Sequence, residues 1–497
     1  MPSEQNQGRE STAEIARRAR QGLWHLASSN LIWQIISWFL TILTVRFLAP
    51  TDFGMMALTE TFVPYLTIIA SLDLLNWVVQ ERDFPPEKEE SVFTLAIVVG
   101  GIVSGAGFVI APLVAWFYGH EELEIPFLIV ACSFFIRSLG TVPESKLRRE
   151  LRFKPIALIN MSVGISRGLV QLVLAYYGFG FYALLVGFVY RDIVHSVAMI
   201  VTGKLPRRLR WEKPVIRSAF FFGLPSTAAT ILWIVYTSSH NIVVGKLFGA
   251  EALSFYAMAF FLVDLPLAKL NLVLRPVIIP YLSRLKEDMP ELRARYLRVV
   301  SATTLVSFPA IAGLGLVATE LVPLLLGRPW IPLIIPLQTV ALIGIIRAGT
   351  NVFSPLFLAL GKPKLDLWCN LLGAIVFPPT LVLTGIWFGM QGIYTSWFLL
   401  LPLLGALMLT FLYRETGIGP GEYLRSITPS FICTMIMIFC TTILGLILLG
   451  RFPTWLVLLA KIAGGACVYL LVARLFFGRG VARFLVSLGI EDQVSKK

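Results

Sequence analysis

Seven basic side chains interrupt otherwise apolar blocks of this 497-residue sequence: Arg137, Arg167, Arg191, Lys269, Arg275, Arg347 and Lys461. A charge in hydrocarbon is costly, so such residues mark a functional site unless they pair or reach the water interface. Their chemistry is anion binding, because a guanidinium presents parallel N–H donors that match phosphate oxygens and stays charged at physiological pH. The acids in comparable positions, Glu60, Asp73, Asp192 and Asp264, are fewer, so a cavity lined by both sets would be net cationic. Arg167, Arg191 and Arg347 lie near mid-block and are the first candidates for lining it, with Arg137, Lys269 and Arg275 as further candidates. Arg137 and Arg275 are near enough to block ends to reach headgroups, and Arg191 has Asp192 beside it. Lys461 is the residue expected to snorkel to the interface. Asp264, Glu60 and Asp73 are candidates for ion coupling, because burial and a neighbouring guanidinium act on a carboxyl in opposite directions. For Asp264 the competing expectation is a permanent ion pair, with Arg275 through Asn271 or with a basic side chain on another helix.

Polar residues also recur at helical spacing. Asn30, Gln34, Ser37, Thr41 and Thr44 fall on one helix face, and Ser226, Thr230, Trp233, Thr237 and His240 repeat the pattern in a later block. Glu60, Thr67 and Ser71 share a face, as do Asp264, Asn271 and Arg275. Such stripes cannot face lipid. They either hydrogen-bond neighbouring helices or line a hydrated cavity, and the mirrored pattern favours the cavity.

The elements that position these residues are membrane spans. The chain is 57% hydrophobic and only 14% charged, with a mean hydropathy of +0.78, whereas globular domains run about 45–50% apolar and about 25% charged. Fourteen apolar blocks of spanning length are predicted: 24–47, 56–79, 92–117, 125–143, 156–177, 181–202, 217–244, 252–280, 297–319, 331–359, 365–388, 392–412, 427–449 and 453–477. The connections are too short for a folded soluble domain. The net charge of +13 has a membrane explanation rather than a nucleic-acid one, since basic residues collect in cytoplasmic loops. With the block-edge residues Arg46, Arg217, Arg298 and Arg474 counted among the loops and tails they adjoin, 31 of the 42 Lys and Arg residues fall on the side of the N-terminus, four on the opposite side and seven within blocks. Both termini are therefore expected in the cytoplasm. The five cysteines, Cys132, Cys369, Cys433, Cys440 and Cys467, have no metal-type spacing and are expected to be buried packing residues.

The chain repeats itself. TVRFLAPTDFGMMAL (44–58) resembles VGKLFGAEALSFYAM (244–258), Arg137 and Asn160 align with Arg347 and Asn370, and GFY (180–182) aligns with GIY (392–394). Six spans separate the copies, so both cross in the same direction, as in transporters that rock two halves about a central site. The expected organisation is a cytoplasmic amphipathic segment 1–22, an N-lobe 23–203, a C-lobe 204–413, two further spans in 414–477 and a cytoplasmic tail 478–497. The fold class is thus an all-α integral membrane protein of about 14 helices, with two pseudo-repeated six-helix lobes and two extra C-terminal helices.

Catalytic signatures are missing from the sequence. It contains no phosphate-binding G-x-x-x-x-G-K-[ST] loop, no H-E-x-x-H and no D-x-D, and its four histidines are isolated. A non-enzyme without cofactor or metal is expected. RFLAPTDFGMMAL after the first span, PESKLRRELRFKP (143–155) and GFGFYALLVG (178–187) together resemble polysaccharide-transporter flippases of the superfamily that also holds multidrug extrusion transporters and lipid II flippases. The likeness is to colanic-acid-type and teichuronic-acid exporters. It implies two helical lobes around a cationic cavity and the flipping of undecaprenyl-diphosphate-linked oligosaccharides across a bacterial inner membrane. The prenyl tail would stay in lipid through a lateral gap. Polymerases and glycosyltransferases of the same pathway are the implied protein partners, alongside membrane lipids and without nucleic acid. The alternatives are a drug/cation antiporter of the same superfamily, which would call for acids rather than arginines in its cavity, and an integral-membrane glycan-assembly enzyme or scaffold.

Overall fold

The computed structural model describes residues 36–37, 39–448 and 450–477. Among the described residues there is no β-strand, and eleven helices are long and apolar enough to cross a membrane. Two of these each carry two of the predicted spans. Lys213–Ser283 is broken at Gly249 (φ 81°, ψ −177°) and Pro363–Thr416 at Gly389 (φ 61°, ψ −148°). Both glycines occupy backbone conformations almost closed to other residues, so the hydropathy dips at 245–251 and 389–391 mark true reversals. The first predicted span is helical over 39–47, and its earlier part, with Asn30 and Gln34, lies outside the described residues.

The predicted span 56–79 is the most irregular. It is built from Pro50–Glu60, Val63–Ser71 and Leu74–Gln80, and the second break places Leu72 and Asp73 in left-handed conformations (φ 41° and 50°). Asn76 Nδ2 donates to Asp73 Oδ1 at 2.7 Å, so this carboxylate is engaged at the break.

The chain forms two compact units, Met1–Ser254 and Phe255–Lys497. They part inside the helix Lys213–Ser283. The seventh span packs with the first unit: Gly223 lies against the Leu72 backbone and Gly245 against Leu58 and Tyr118. Within this unit, Pro86–Tyr118 and Glu124–Arg149 pack along their lengths through small residues, Gly100 on Ser138 and Gly107 on Ala131. Ser104 Oγ donates across this seam to the Ala131 carbonyl at 2.8 Å. Small side chains and a shared hydroxyl are the means by which helices associate where lipid offers no hydrophobic drive.

In the second unit, Met289–Leu316 packs on Ile334–Thr350 and on Pro420–Leu448, which in turn packs on Thr454–Phe477. Its core stacks Phe353 on Tyr423, with ring centroids 4.9 Å apart, and buries Leu356, Phe357 and Tyr296 beside them. Large apolar side chains such as Trp116, Val201 and Leu475 are exposed, the expected outer face of a bundle solvated by acyl chains. The same inversion corrects the expectation for the cysteines. Cys369 and Cys433 are buried, but Cys132 and Cys467 are exposed, because an apolar residue on a spanning helix is as well placed facing lipid as facing the core.

Candidate functional site

In the first unit, four helices bring charged residues together. Arg191 donates from Nε and Nη2 to Asp192 Oδ1 at 2.9 and 2.8 Å, and Ser133 Oγ donates to Asp192 Oδ2 at 3.0 Å. The pairing expected from their adjacency is therefore present, and both oxygens of this buried carboxylate are engaged. The Arg191 guanidinium also lies 4.5 Å from the Phe188 ring centroid. Glu60 and Arg167 sit within electrostatic reach of Arg191 and Asp192, and Arg137 joins through the same two residues. Arg167 Nε is buried without a hydrogen-bond partner. His195 Nε2 lies 3.1 Å from Asn160 Oδ1 at the edge of this cluster. Three arginines thus gather around Glu60 and Asp192, with Glu144 a third acid within reach of Arg137.

In the second unit, Arg347 Nη1 donates to Asp264 Oδ1 at 2.7 Å. The guanidinium lies 5.8 Å from each of the Phe260 and Trp397 ring centroids, within cation–π range. Trp397 Nε1 donates to the Tyr256 hydroxyl at 2.9 Å, and its ring meets Phe377 edge-on at 4.4 Å. A packed aromatic cluster thus borders the guanidinium, while Asp264, on the helix after Gly249, supplies its counter-charge. Of the two readings for Asp264, pairing with a base on another helix is the geometry found. Arg275 lies elsewhere, with Nη2 3.4 Å from Ser354 Oγ and close to Asp366. Asn370, the repeat partner of Asn160, stands beside that same Asp366. Lys269 and Asn271 are half-buried on the same stretch of helix.

Three threonines of the polar stripes donate to carbonyls of their own helices, which leaves their oxygens able to accept a further bond. Thr44 donates to the Leu40 carbonyl at 2.8 Å, Thr230 to Ser226 at 2.9 Å and Thr237 to Trp233 at 2.8 Å. Ser37 and Thr41 are half-buried. Lys461 is a correction. It does not snorkel, because its Nζ meets Glu320 Oε1 at 2.6 Å with both side chains about a tenth exposed (12% and 10%). Gly445 leaves the room that this lysine stem occupies.

The aromatic cluster, Ser133 and the His195–Asn160 contact were missed from sequence. One signal was available: Tyr256, Phe260 and Asp264 recur every four residues, on one face of a helix. The quoted motifs prove to be structural. Asp52 accepts the Ala49 N–H at 3.0 Å, capping Pro50–Glu60, and Gly180 (φ 53°) lies against that carboxylate. Residues of RFLAPTDFG and GFGFY therefore meet.

An all-helical, multi-pass chain with paired arginines inside its spans has the architecture of a membrane transporter, and three comparisons agree. Residues 42–335 match the family described as "Polysaccharide biosynthesis protein", and the chain belongs to it. It is 21% identical to the lipopolysaccharide biosynthesis protein WzxC of Escherichia coli, over 80% of this chain and 82% of that one. It is 24% identical to the teichuronic acid biosynthesis protein TuaB of Bacillus subtilis, over 72% and 75%. Among solved structures, the lipid II flippase MurJ in an inward closed conformation aligns with a TM-score of 0.72 at 14% identity, covering 93% of this chain and 99% of that one. An inward-facing multidrug MATE transporter aligns at 0.61 and 14% identity, covering 81% and 94%. The fold is that of these all-α transporters.

Proposed function

We propose that this protein moves lipid-linked oligosaccharides, precursors of a surface polysaccharide carried on undecaprenyl diphosphate, across the bacterial inner membrane by alternating access. The observation that carries the reading is membership of the polysaccharide biosynthesis family by a chain built almost wholly of spanning helices. Its relatives include the succinoglycan biosynthesis transport protein ExoT of Rhizobium meliloti, 22% identical over 70% of this chain and 72% of that one. The diphosphate is the chemical feature the arginines suit. Arg167, with an unpartnered Nε, and Arg191 and Arg137 beside it would meet it in the first unit, and Arg347 in the second. Arg275 and Lys269 are further contacts on the path, and Ser37, Thr41, Ser226, Thr230, Thr237 and Asn271 face the sugars, with Asn30 and Gln34 continuing that stripe. Such arginine-rich clusters suit a cationic drug poorly, which sets the antiporter reading aside.

Transport without bond chemistry is the proposed mode, with the repeat lobes 23–203 and 204–413 as its functional halves. The 31-to-4 distribution of Lys and Arg supports cytoplasmic termini. Asp264 and Glu60 are the favoured ion-coupling acids, with Asp73 a further candidate. Polymerase and glycosyltransferases of the pathway are proposed neighbours.

The test is reconstitution. Purified protein in vesicles carrying a fluorescent lipid-linked oligosaccharide should transfer the headgroup to the far leaflet, and protein-free vesicles should not. Equal transfer in both would remove the assignment.

A further inference from the structure

The segment joining the helices Phe181–Gly203 and Lys213–Ser283 is non-helical, basic and exposed. With Lys213, which opens the second helix, it reads KLPRRLRWEK over 204–213. Its only acid, Glu212, is taken by Arg210 Nε at 2.7 Å. Lys204, Arg207, Arg208 and Lys213 are exposed and make no ion pair among the described residues. The next basic segment differs. In 143–155, Lys146 pairs with Glu89, Arg148 with Glu144 and Arg152 with Glu150, while Arg149 donates to the carbonyls of Val78, Glu81 and Arg82.

Apolar side chains alternate with these free cations. Leu209 is 66% exposed and Trp211 54% exposed, and Leu205 is exposed between Lys204 and Arg207. Two anchors fix the segment. The Arg210 N–H donates to Thr94 Oγ1 at 3.0 Å, and Gly203 packs on the Pro143 backbone. Both flanks are spanning helices, so the segment emerges at the bilayer surface, at headgroup depth. Fixed cations there, interleaved with leucine and tryptophan, match an anionic headgroup layer above its acyl chains.

We infer that residues 204–213 form a docking strap for anionic phospholipid, with Lys204, Arg207, Arg208 and Lys213 on the headgroups and Leu205, Leu209 and Trp211 at the acyl boundary. Charge complementarity selects the lipid, since no acid in the segment is left free to take a basic partner. The strap is independent of the transported cargo.

A photoreactive benzoylphenylalanine at Leu209 tests this in full-length protein reconstituted in vesicles of equal phosphatidylcholine and phosphatidylglycerol. Mass spectrometry of the crosslinked lipid should show phosphatidylglycerol enriched about threefold or more, since each basic residue near an anionic surface is worth about a fivefold change. Raising salt to about 0.5 M, where charges are screened within about 4–5 Å, should return the ratio towards bulk. The variant carrying Lys204→Gln, Arg207→Gln, Arg208→Gln and Lys213→Gln should show the bulk ratio in low salt. A bulk ratio in the native chain at low salt would overturn the inference, as would enrichment that survives neutralisation. Crosslinks to protein instead of lipid would overturn it too, as would loss of enrichment to millimolar inorganic phosphate at constant ionic strength. Should the fourfold variant fail to accumulate, the salt series on the native chain decides. None of these readings depends on flipping, so they stand or fall apart from the proposed function.

Discussion

Lys461 and Glu320 form the most enclosed of the ion pairs found among the described residues, Nζ to Oε1 at 2.6 Å. Thr319 Oγ1 donates to the other carboxylate oxygen at 2.9 Å. The pair ties Thr454–Phe477 to Ala318–Leu325, and with both side chains only about a tenth exposed, loss of one leaves the other charge buried without its partner.

Lys461→Ala should therefore destabilise the protein by about 3 kcal/mol or more, the usual cost of stranding one buried charge. Thermal unfolding in detergent would show it. The double variant Lys461→Met with Glu320→Gln should recover most of the loss, and a double variant no better than the single would mean that the pair is not what holds this helix.

Arg347→Ala and Arg167→Ala should each lower flipping about tenfold or more while protein level is kept, given the worth of hydrogen bonds to a charged group. Arg347→Lys should rescue little, because a compact ammonium cannot reproduce the planar, forked group that meets Asp264 beside the Phe260 and Trp397 rings. Wild-type glycan output from both alanine variants would make these arginines structural.

Asp264→Asn keeps an oxygen for Arg347 but removes the charge. If Asp264 couples an ion, this variant and Glu60→Gln should accumulate normally and flip without response to an imposed proton or sodium gradient. A full response in both would eliminate these two acids.

At Gly54 a β-carbon would overlap the carbonyl oxygen of Ala250. Gly54→Ala should cost about 1–3 kcal/mol, as overpacking does, read as reduced yield and a lower Tm. Gly105→Ala, where nothing lies near, should be neutral.

A cysteine at position 208, in the strap, should resist impermeant maleimide added outside intact cells and react after permeabilisation. Labelling in intact cells would reverse the topology.

Most of the helices were legible because a spanning segment must be both long and apolar, a requirement no packing detail can override. The bends at 61–62 and 72–73 were not, because they depend on how Asp73 and its neighbours settle against other helices. The charged residues were legible one by one and illegible as pairs. Arg191 and Asp192 are sequence neighbours, so their bond could be read directly. Arg347 and Asp264 stand 83 residues apart, and no spacing rule reaches that far. Lys461 misled for the same reason: its partner Glu320 sits at a span end, where an acid looks like an ordinary loop residue.

The reversal at Gly389 has a consequence for biogenesis. One residue separates two spanning helices, and past the bend Thr384 Oγ1 lies 2.6 Å from Ser396 Oγ. A connection that short cannot be threaded through a translocation channel while its first helix waits in the bilayer. The two arms must leave the insertion machinery together as a preformed hairpin, their hydroxyls already sealed against each other, and the turn offers almost no polypeptide for a protease or an antibody to grip.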